Sequence, residues 1–483
     1  MIFTTLPFFF FLLVVLGIYW ALPSDRFRHP FLFGANFFFY GWWNWKFTAL
    51  LFIVILISYG AGRFLEQAET QFKKRIMFGA CALLLGILGY FKYTNFFLES
   101  IHLAFEKIGG TLGWTTLKII LPAGISFYIF QAISYVVTVY RQKLAAETSF
   151  VRLGVYLSFF PHLVAGPIIH APTFLPQLRE KRHFDSTFFI EGCRKFALGF
   201  LYKAVFADHL AAVVNPIFQA VEKQQALTLF GGCLGFYGQI YFDFAGYSLM
   251  AIGVAQLLGY TLPENFHFPY RATSLIDFWR RWHISLSTWL RDYVYIPLGG
   301  NRCSLPRNYA NIIITMFLGG LWHGASWNFL LWGGIHGVAL CLNHAWRSCR
   351  GYAKEETLRK KLSFSTIGAW LLTQGIVFLC WIPFRAATWS DTLYIGHQFF
   401  LGMTRFFYLF FTHKIPVLGP CSLPWALLIL PVLIDTALHG NDRWRSRYSW
   451  ASNTAFYVAI SMALLLGLLF MSTGMVNFIY FQF

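Results

Sequence analysis

Ten stretches of this chain carry enough contiguous apolar residues to cross a membrane, and no other feature narrows its possible folds so far. A bilayer core takes about 20 residues of helix. The candidates are residues 6–22, 47–61, 76–93, 119–140, 192–212, 229–258, 312–342, 367–384, 423–438 and 455–471. Three weaker stretches, 31–45, 153–169 and 392–411, read as short spans or re-entrant segments, which puts the number of crossings at roughly eleven. Composition agrees. Hydrophobic residues make up 57% of the chain and charged residues 12%, against about 25% charged in ordinary soluble domains. With 56 phenylalanines, there is too little polar surface to cover the apolar material in water. The bilayer is the solvent that fits.

The net charge of +18 invites a nucleic-acid reading, but that needs a basic face on a soluble module. Here the cations form short blocks between apolar stretches: Arg63, Lys73, Lys74 and Arg75; Arg179, Lys181 and Arg182; Arg347, Arg350, Lys354, Arg359, Lys360 and Lys361; Arg443, Arg445 and Arg447. Such blocks mark cytoplasmic loops and favour anionic lipid heads, so membrane lipids are the expected contacts and nucleic acid is not. Arg26 and Arg28 place the first loop inside and the N-terminus outside. The loop 99–113 carries Glu99 and Glu106 and fits the outer face. No positive charge precedes the first span and no small-residue cleavage site follows it, so it is expected to be retained. The eight cysteines include no CxxC pair, which points to neither a disulfide framework nor a metal centre.

No internal repeat or long soluble domain interrupts this pattern. The one extended polar region is 262–311, where Arg271, Asp277, Arg280, Arg281, Arg291, Asp292, Arg302 and Arg307 alternate with Phe278, Trp279, Trp282 and Trp289. Tryptophan and arginine together suit a cytoplasmic, partly inserted interfacial segment.

Ionisable groups in apolar surroundings are the informative exceptions in a membrane chain. In Phe317-Leu-Gly-Gly-Leu-Trp-His-Gly-Ala-Ser-Trp-Asn328, His323 sits among Gly319, Gly320 and Gly324, and the Gly320-xxx-Gly324 spacing puts both glycines on one helix face beside it. His336, in Trp332-Gly-Gly-Ile-His-Gly337, repeats the theme. Either histidine could serve only as a hydrogen bond between packed helices. Glycine crowding argues against that for His323, since packing alone needs no titratable group there, and imidazole is suited to moving a proton near neutral pH. In Phe278-Trp-Arg-Arg-Trp-His-Ile-Ser-Leu-Ser287, a continuous helix would place Trp279, His283 and Ser287 on one face; an interfacial helix without chemistry is the plainer alternative. Asp243 is a carboxylate within a span, expected to pair with an arginine or a backbone donor. His162 and His170 flank Gly166-Pro167 and read as loop residues. No two histidines have the HxxxH spacing of a helical metal site, so none is expected.

At these residues the sequence resembles the membrane-bound O-acyltransferase family, in its alginate O-acetyltransferase branch. The match is carried by Phe38-Phe-Tyr-Gly-Trp-Trp-Asn-Trp45, Leu121-Pro-Ala-Gly-Ile-Ser-Phe-Tyr128, Phe160-Pro-His-Leu-Val-Ala-Gly-Pro167, Tyr241-Phe-Asp-Phe-Ala-Gly-Tyr247, the Phe278–Asn301 block, the His323 block and the closing residues 478–483. Thr138 and Leu249 depart from it, each standing where relatives often carry Asp. The resemblance implies a single all-α polytopic domain over 1–483, a disc of about eleven transmembrane helices with re-entrant and interfacial helices around a central tunnel, residues 262–311 carrying part of the site. It implies that His323 is the catalytic histidine and His283 the second. Arg280, Arg281, Trp282, Ser287, Arg291, Asp292, Trp322, Asn328 and His336 become candidates for donor binding or tunnel lining.

The implied activity moves an acyl group, acetyl above all, from a cytoplasmic thioester such as acetyl-CoA to an extracytoplasmic polysaccharide. The site would be in a bacterial inner membrane, and transfer would be direct or through a periplasmic SGNH or esterase-like partner. No bound cofactor is expected. Alginate or another exopolysaccharide is the favoured acceptor and peptidoglycan the second. A flippase for lipid-linked sugars is the rival from another class; such transporters usually show repeats, and none is visible here.

Overall fold

The computed structural model describes residues 1–110, 116–349 and 363–412. All regular structure among them is helical. The reason is physical: in hydrocarbon no water bonds a stray N–H or C=O, and a helix satisfies both within one segment. The expected spans at 423–438 and 455–471, the terminal motif at 478–483 and the basic positions at 350, 354–361 and 443–447 lie outside the described residues.

The chain forms two compact units, Met1–Phe196 with Tyr247–Glu264, and Ala197–Gly246 with the chain from Asn265 on. Ten helices begin in the first: α1 (Leu6–Ala21), α2 (Asp25–Asn44), α3 (Lys46–Gln67), α4 (Thr70–Leu88), α5 (Thr94–Lys107), α6 (Ile125–Tyr140), α7 (Phe150–Ser158), α8 (Phe160–Leu163), α9 (Ala171–Phe174) and α10 (Ser186–Phe200). The second holds α11 (Asp208–Gln219), most of α12 (Ala226–Leu257), α13 (Leu275–Trp279), α14 (Ile284–Leu290), α15 (Leu305–His323), α16 (Trp327–Cys349), α17 (Phe364–Arg385) and α18 (Trp389–Phe411).

Among the described residues five elements are long and apolar enough to cross a membrane: Lys46–Gln67, Thr70–Lys107, Ser186–Gln219, Ala226–Leu257 and Phe364–Arg385. The protein is a multi-pass membrane protein. Leu6–Ala21 and Ile125–Tyr140 are shorter apolar helices. The weak stretch 31–45 lies in the continuous helix α2 and 392–411 in α18, whereas 153–169 is broken after Ser158 into α7 and the single turn α8. A larger difference concerns 312–342, read as one candidate span. It is two helices, α15 and α16, separated at Gly324, Ala325 and Ser326.

Glycine sets the closest helix contacts. In the first unit a Cβ on Gly253 of α12 would come 2.6 Å from the Gly192 carbonyl oxygen of α10, and one on Gly192 would come 2.9 Å from that of Gly253. Seven residues along in the second unit, a Cβ on Gly246 would lie 2.8 Å from the Gly199 oxygen. Small residues let membrane helices pack backbone to backbone in this way.

Buried charges are paired. In the first unit Glu147, wholly enclosed, accepts from Arg152 at Oε1 (2.7 and 3.1 Å) and from Arg179 at Oε2 (3.0 and 3.1 Å), with the Ser149 N–H adding a bond of 3.0 Å. Burial alone would raise this carboxyl, but the two guanidinium groups and the N–H prevail and hold it below its usual range. Arg28 donates to the carbonyls of Tyr19, Leu22 and Arg182. Arg179, from one of the basic blocks, and Arg28, from the first loop, are therefore braces within the fold. In the second unit Asp243 pairs with Lys203, a partner that the sequence reading, which named an arginine or a backbone donor, did not include; the Lys203 ammonium lies 2.6 Å from both Asp243 and Asp208. Lys203 stands in a π-helical turn, Leu201–Ala207, just before α11.

Candidate active site

All the candidate residues fall within the second unit. The stretch around His283 is not one helix. Ser274 caps α13 by accepting the Asp277 N–H at 3.1 Å, and the helix closes at Trp279. Arg281 and Trp282 form a turn on the Phe278 carbonyl, and α14 starts only at Ile284. Between them His283 adopts the left-handed conformation, φ 43° and ψ 54°. That conformation costs a non-glycine residue about 1–3 kcal/mol and persists where neighbours impose it. Two backbone bonds do so: His267 N–H to the Arg281 carbonyl and Ile284 N–H to the Asn265 carbonyl, each 2.9 Å. The shared face expected for Trp279, His283 and Ser287 therefore does not exist, because the helix breaks between the first two.

His283 is fully buried. Its ring meets the Phe244 ring edge-on at 4.6 Å between centroids and the Trp322 ring at 5.5 Å. Burial pushes its imidazole down to about 3. The side-chain oxygen of Asn265, Oδ1, sits 3.1 Å from Nδ1, and Nε2 has no partner among the described residues.

His323 is the last residue of α15, and Gly324 beyond it is extended. Gly324 thus marks the helix end and does not share a helical face with Gly320. The glycines act instead across the α15–α16 hairpin. A Cβ on Gly320 would strike the Phe329 carbonyl oxygen, and one on Gly333 would strike that of Met316. His323 is 3% exposed, with Trp322, Trp332 and Phe384 at 5.0 to 5.2 Å around it. Its ring centroid lies 6.3 Å from that of His283. Two histidines forty residues apart in sequence are brought side by side.

The remaining candidates divide. Trp322 lies against both histidines, and Trp282 is buried on Phe278 and Trp381. His336 is enclosed by Trp332, Trp279 and Phe278, with neither ring nitrogen bonded among the described residues. Asn328 donates to the Ala386 carbonyl at 3.0 Å, and its own oxygen has no partner among the described residues. Ser287 points its hydroxyl to the Trp282 carbonyl at 3.4 Å. Arg281 is committed to Asp277 at 2.8 Å and to the His267 carbonyl, and Arg291 to Asp292 at 2.7 Å, so both cations have internal partners. Arg280 is exposed. Sequence reasoning missed Asn265 and Ser285. Their contacts with each other and with His283 join positions 18 and 20 residues apart, which no local spacing encodes.

The signature of the membrane-bound O-acyltransferase (MBOAT) family matches residues 33–372. The chain is 40% identical over 380 residues to a probable alginate O-acetylase AlgI of Azotobacter vinelandii, covering 78% of this chain and 73% of that one. It is 35% identical over 391 residues to a peptidoglycan O-acetyltransferase of Helicobacter pylori, covering 74% and 71%. Similarity extends to a teichoic acid D-alanyltransferase of Streptococcus thermophilus, at 32% identity over 56% of this chain and 66% of that one. These three relatives act on different polymers, and what their names share is transfer of an acyl group. The chain belongs to the membrane-bound O-acyltransferase family and is an O-acyltransferase.

Proposed function

We propose that the protein transfers acetyl from a cytoplasmic thioester such as acetyl-CoA to hydroxyls of an extracytoplasmic polysaccharide, across a bacterial inner membrane. The observation that carries the reading is the side-by-side placement of His323 and His283 within a buried enclosure of aromatic rings. The greater identity to the alginate O-acetylase favours an exopolysaccharide over peptidoglycan as the acceptor.

His323 acts as general base. It takes the proton of the incoming alcohol, from the polymer or from a serine of a periplasmic partner, as the oxygen attacks the thioester carbonyl. The C–O bond forms, the C–S bond breaks, and the proton passes to the departing thiolate, so the transfer balances without a net acid or base. His283 orients the donor beside it. Removal of water by the surrounding tryptophans strengthens each polar contact there. Arg280, exposed at the end of α13, is suited to a phosphate of the donor.

His323→Ala should leave membrane insertion and abundance intact and abolish acylation of the polymer, measured by mass spectrometry of the envelope polysaccharide. Normal acylation in that variant removes the mechanism. Arg280→Ala should raise the KM for the thioester severalfold with kcat retained; an unchanged KM would free Arg280 of the binding role.

A further inference from the structure

Asn265 gathers three donors on one atom. Its side-chain oxygen, Oδ1, lies 3.2 Å from the Ser285 N–H, 2.8 Å from the Ser285 hydroxyl and 3.1 Å from His283 Nδ1, all of them buried. A backbone N–H can only donate. The atom facing Ser285 N must therefore be the oxygen of the amide, not its nitrogen, and the rotation that usually leaves asparagine ambiguous is excluded. Since that same oxygen faces Nδ1, the histidine must carry its proton there.

We propose that Asn265 is a positioning residue that fixes His283 as the Nδ1–H tautomer, so that His283 meets substrate with the lone pair of Nε2 and accepts a hydrogen bond. This rests on the acyl-transfer reading and sharpens it. A ring so held cannot donate from Nε2 to the oxyanion developing on the thioester carbonyl. Its substrate partner must be an O–H or N–H: the hydroxyl of the acceptor, or an amide N–H on the arm of the donor.

Three features converge on this role. Nε2 is buried and has no partner among the described residues, a vacancy that a substrate donor would fill. The left-handed backbone at His283 is held by the main-chain oxygen of Asn265 through the Ile284 N–H, while the side-chain oxygen holds the ring, so one residue meets both. The neutral form is the one enclosure favours, which leaves a single proton on the ring to be placed.

The tautomer is directly readable. Magic-angle-spinning NMR of the full chain in lipid, labelled with ¹⁵N-histidine, shows which ring nitrogen is protonated, and subtraction of the His283→Gln spectrum assigns the signal. The expected result is a neutral ring with its proton on Nδ1; a proton on Nε2 overturns the proposal. Turnover gives a second reading. Asn265→Leu keeps the size of the side chain but removes the acceptor, and should lose on the order of 10²–10⁴-fold, with the loss in kcat and not in the KM for the thioester. Asn265→Asp keeps an oxygen facing Nδ1 and should recover at least about tenfold of that loss; a merely structural asparagine would not be rescued by a buried carboxylate. Wild-type kcat in Asn265→Leu beside an inactive His283→Gln removes the positioning role alone. Wild-type turnover in His283→Gln removes this histidine from the reaction altogether. Should Asn265→Leu fail to accumulate, the spectrum of the wild-type chain decides.

Discussion

At the scale of single residues, the chain separates charges that hold it together from groups kept for chemistry. Glu147, bonded by two arginines, belongs to the first kind. Because its carboxyl is held below the usual range, its stabilisation is complete above the ordinary glutamate value of about 4.3 and fades as pH falls through the lower folded value. Thermal midpoints in detergent should therefore drop below about pH 4 for the wild type. Glu147→Gln should start lower at neutral pH and vary less over the same acid range; parallel curves would refute the clamp. Lys203 is a second case. Lys203→Met would remove the ammonium that Asp208 and Asp243 share, a loss of about 3–5 kcal/mol for a broken buried pair. Denaturant titration should show it, with Asp243→Asn on the same background recovering part; stability unaffected by Lys203→Met would deny the triad its role. On the function proposed above, His283 and His323 are the second kind, enclosed by aromatic rings.

At the scale of helices, the apolar runs made α12 and α17 legible with ends within three residues, and α3 with its start within one residue but its end six residues short, because length and hydropathy alone decide what a bilayer accepts. The break between α15 and α16 was not legible. Gly324-Ala-Ser326 is no more polar than its surroundings, so hydropathy ran through it, and only the backbone contacts of Gly320 and Gly333 reveal a hairpin. His323 and His283 were both read from the sequence, but the turn that presents His283 was not, since it depends on bonds from residues 265 and 267. A paired substitution tests the packing. Gly320→Ala should lower both the thermal midpoint and acyl transfer, as its methyl has no room. Gly17→Ala on α1 meets nothing within 4 Å and should be neutral or stabilising by up to about 1 kcal/mol. Equal behaviour of the two would mean that the hairpin is not set by glycine.

For the whole molecule, apolar composition identified the environment and the basic blocks suggested its orientation, while the charge of +18 said nothing useful about partners. Several cations counted towards that total are spent inside the fold, on Glu147, on carbonyls or between Asp208 and Asp243. Orientation remains directly testable along the 38-residue element Thr70–Lys107. At ~1.5 Å per residue it is longer than a ~30 Å bilayer core, so its two ends should emerge on opposite sides. A membrane-impermeant maleimide applied to spheroplasts should label Glu106→Cys and spare Gln71→Cys, with the pattern reversed in inverted vesicles. Labelling of both from one side would undo the orientation drawn from the charges.

The three-residue link between α15 and α16 carries a consequence for how such a site can vary. With the two backbones already touching at Gly320 and Gly333, the connection has no slack to absorb an added residue. One extra residue at Ser326 would turn the start of α16 by about 100° relative to His323, swinging Phe329 and Trp332 off the imidazole. Side chains around the ring can drift in identity, but the spacing from His323 to Trp332 is a ruler that the chain must keep.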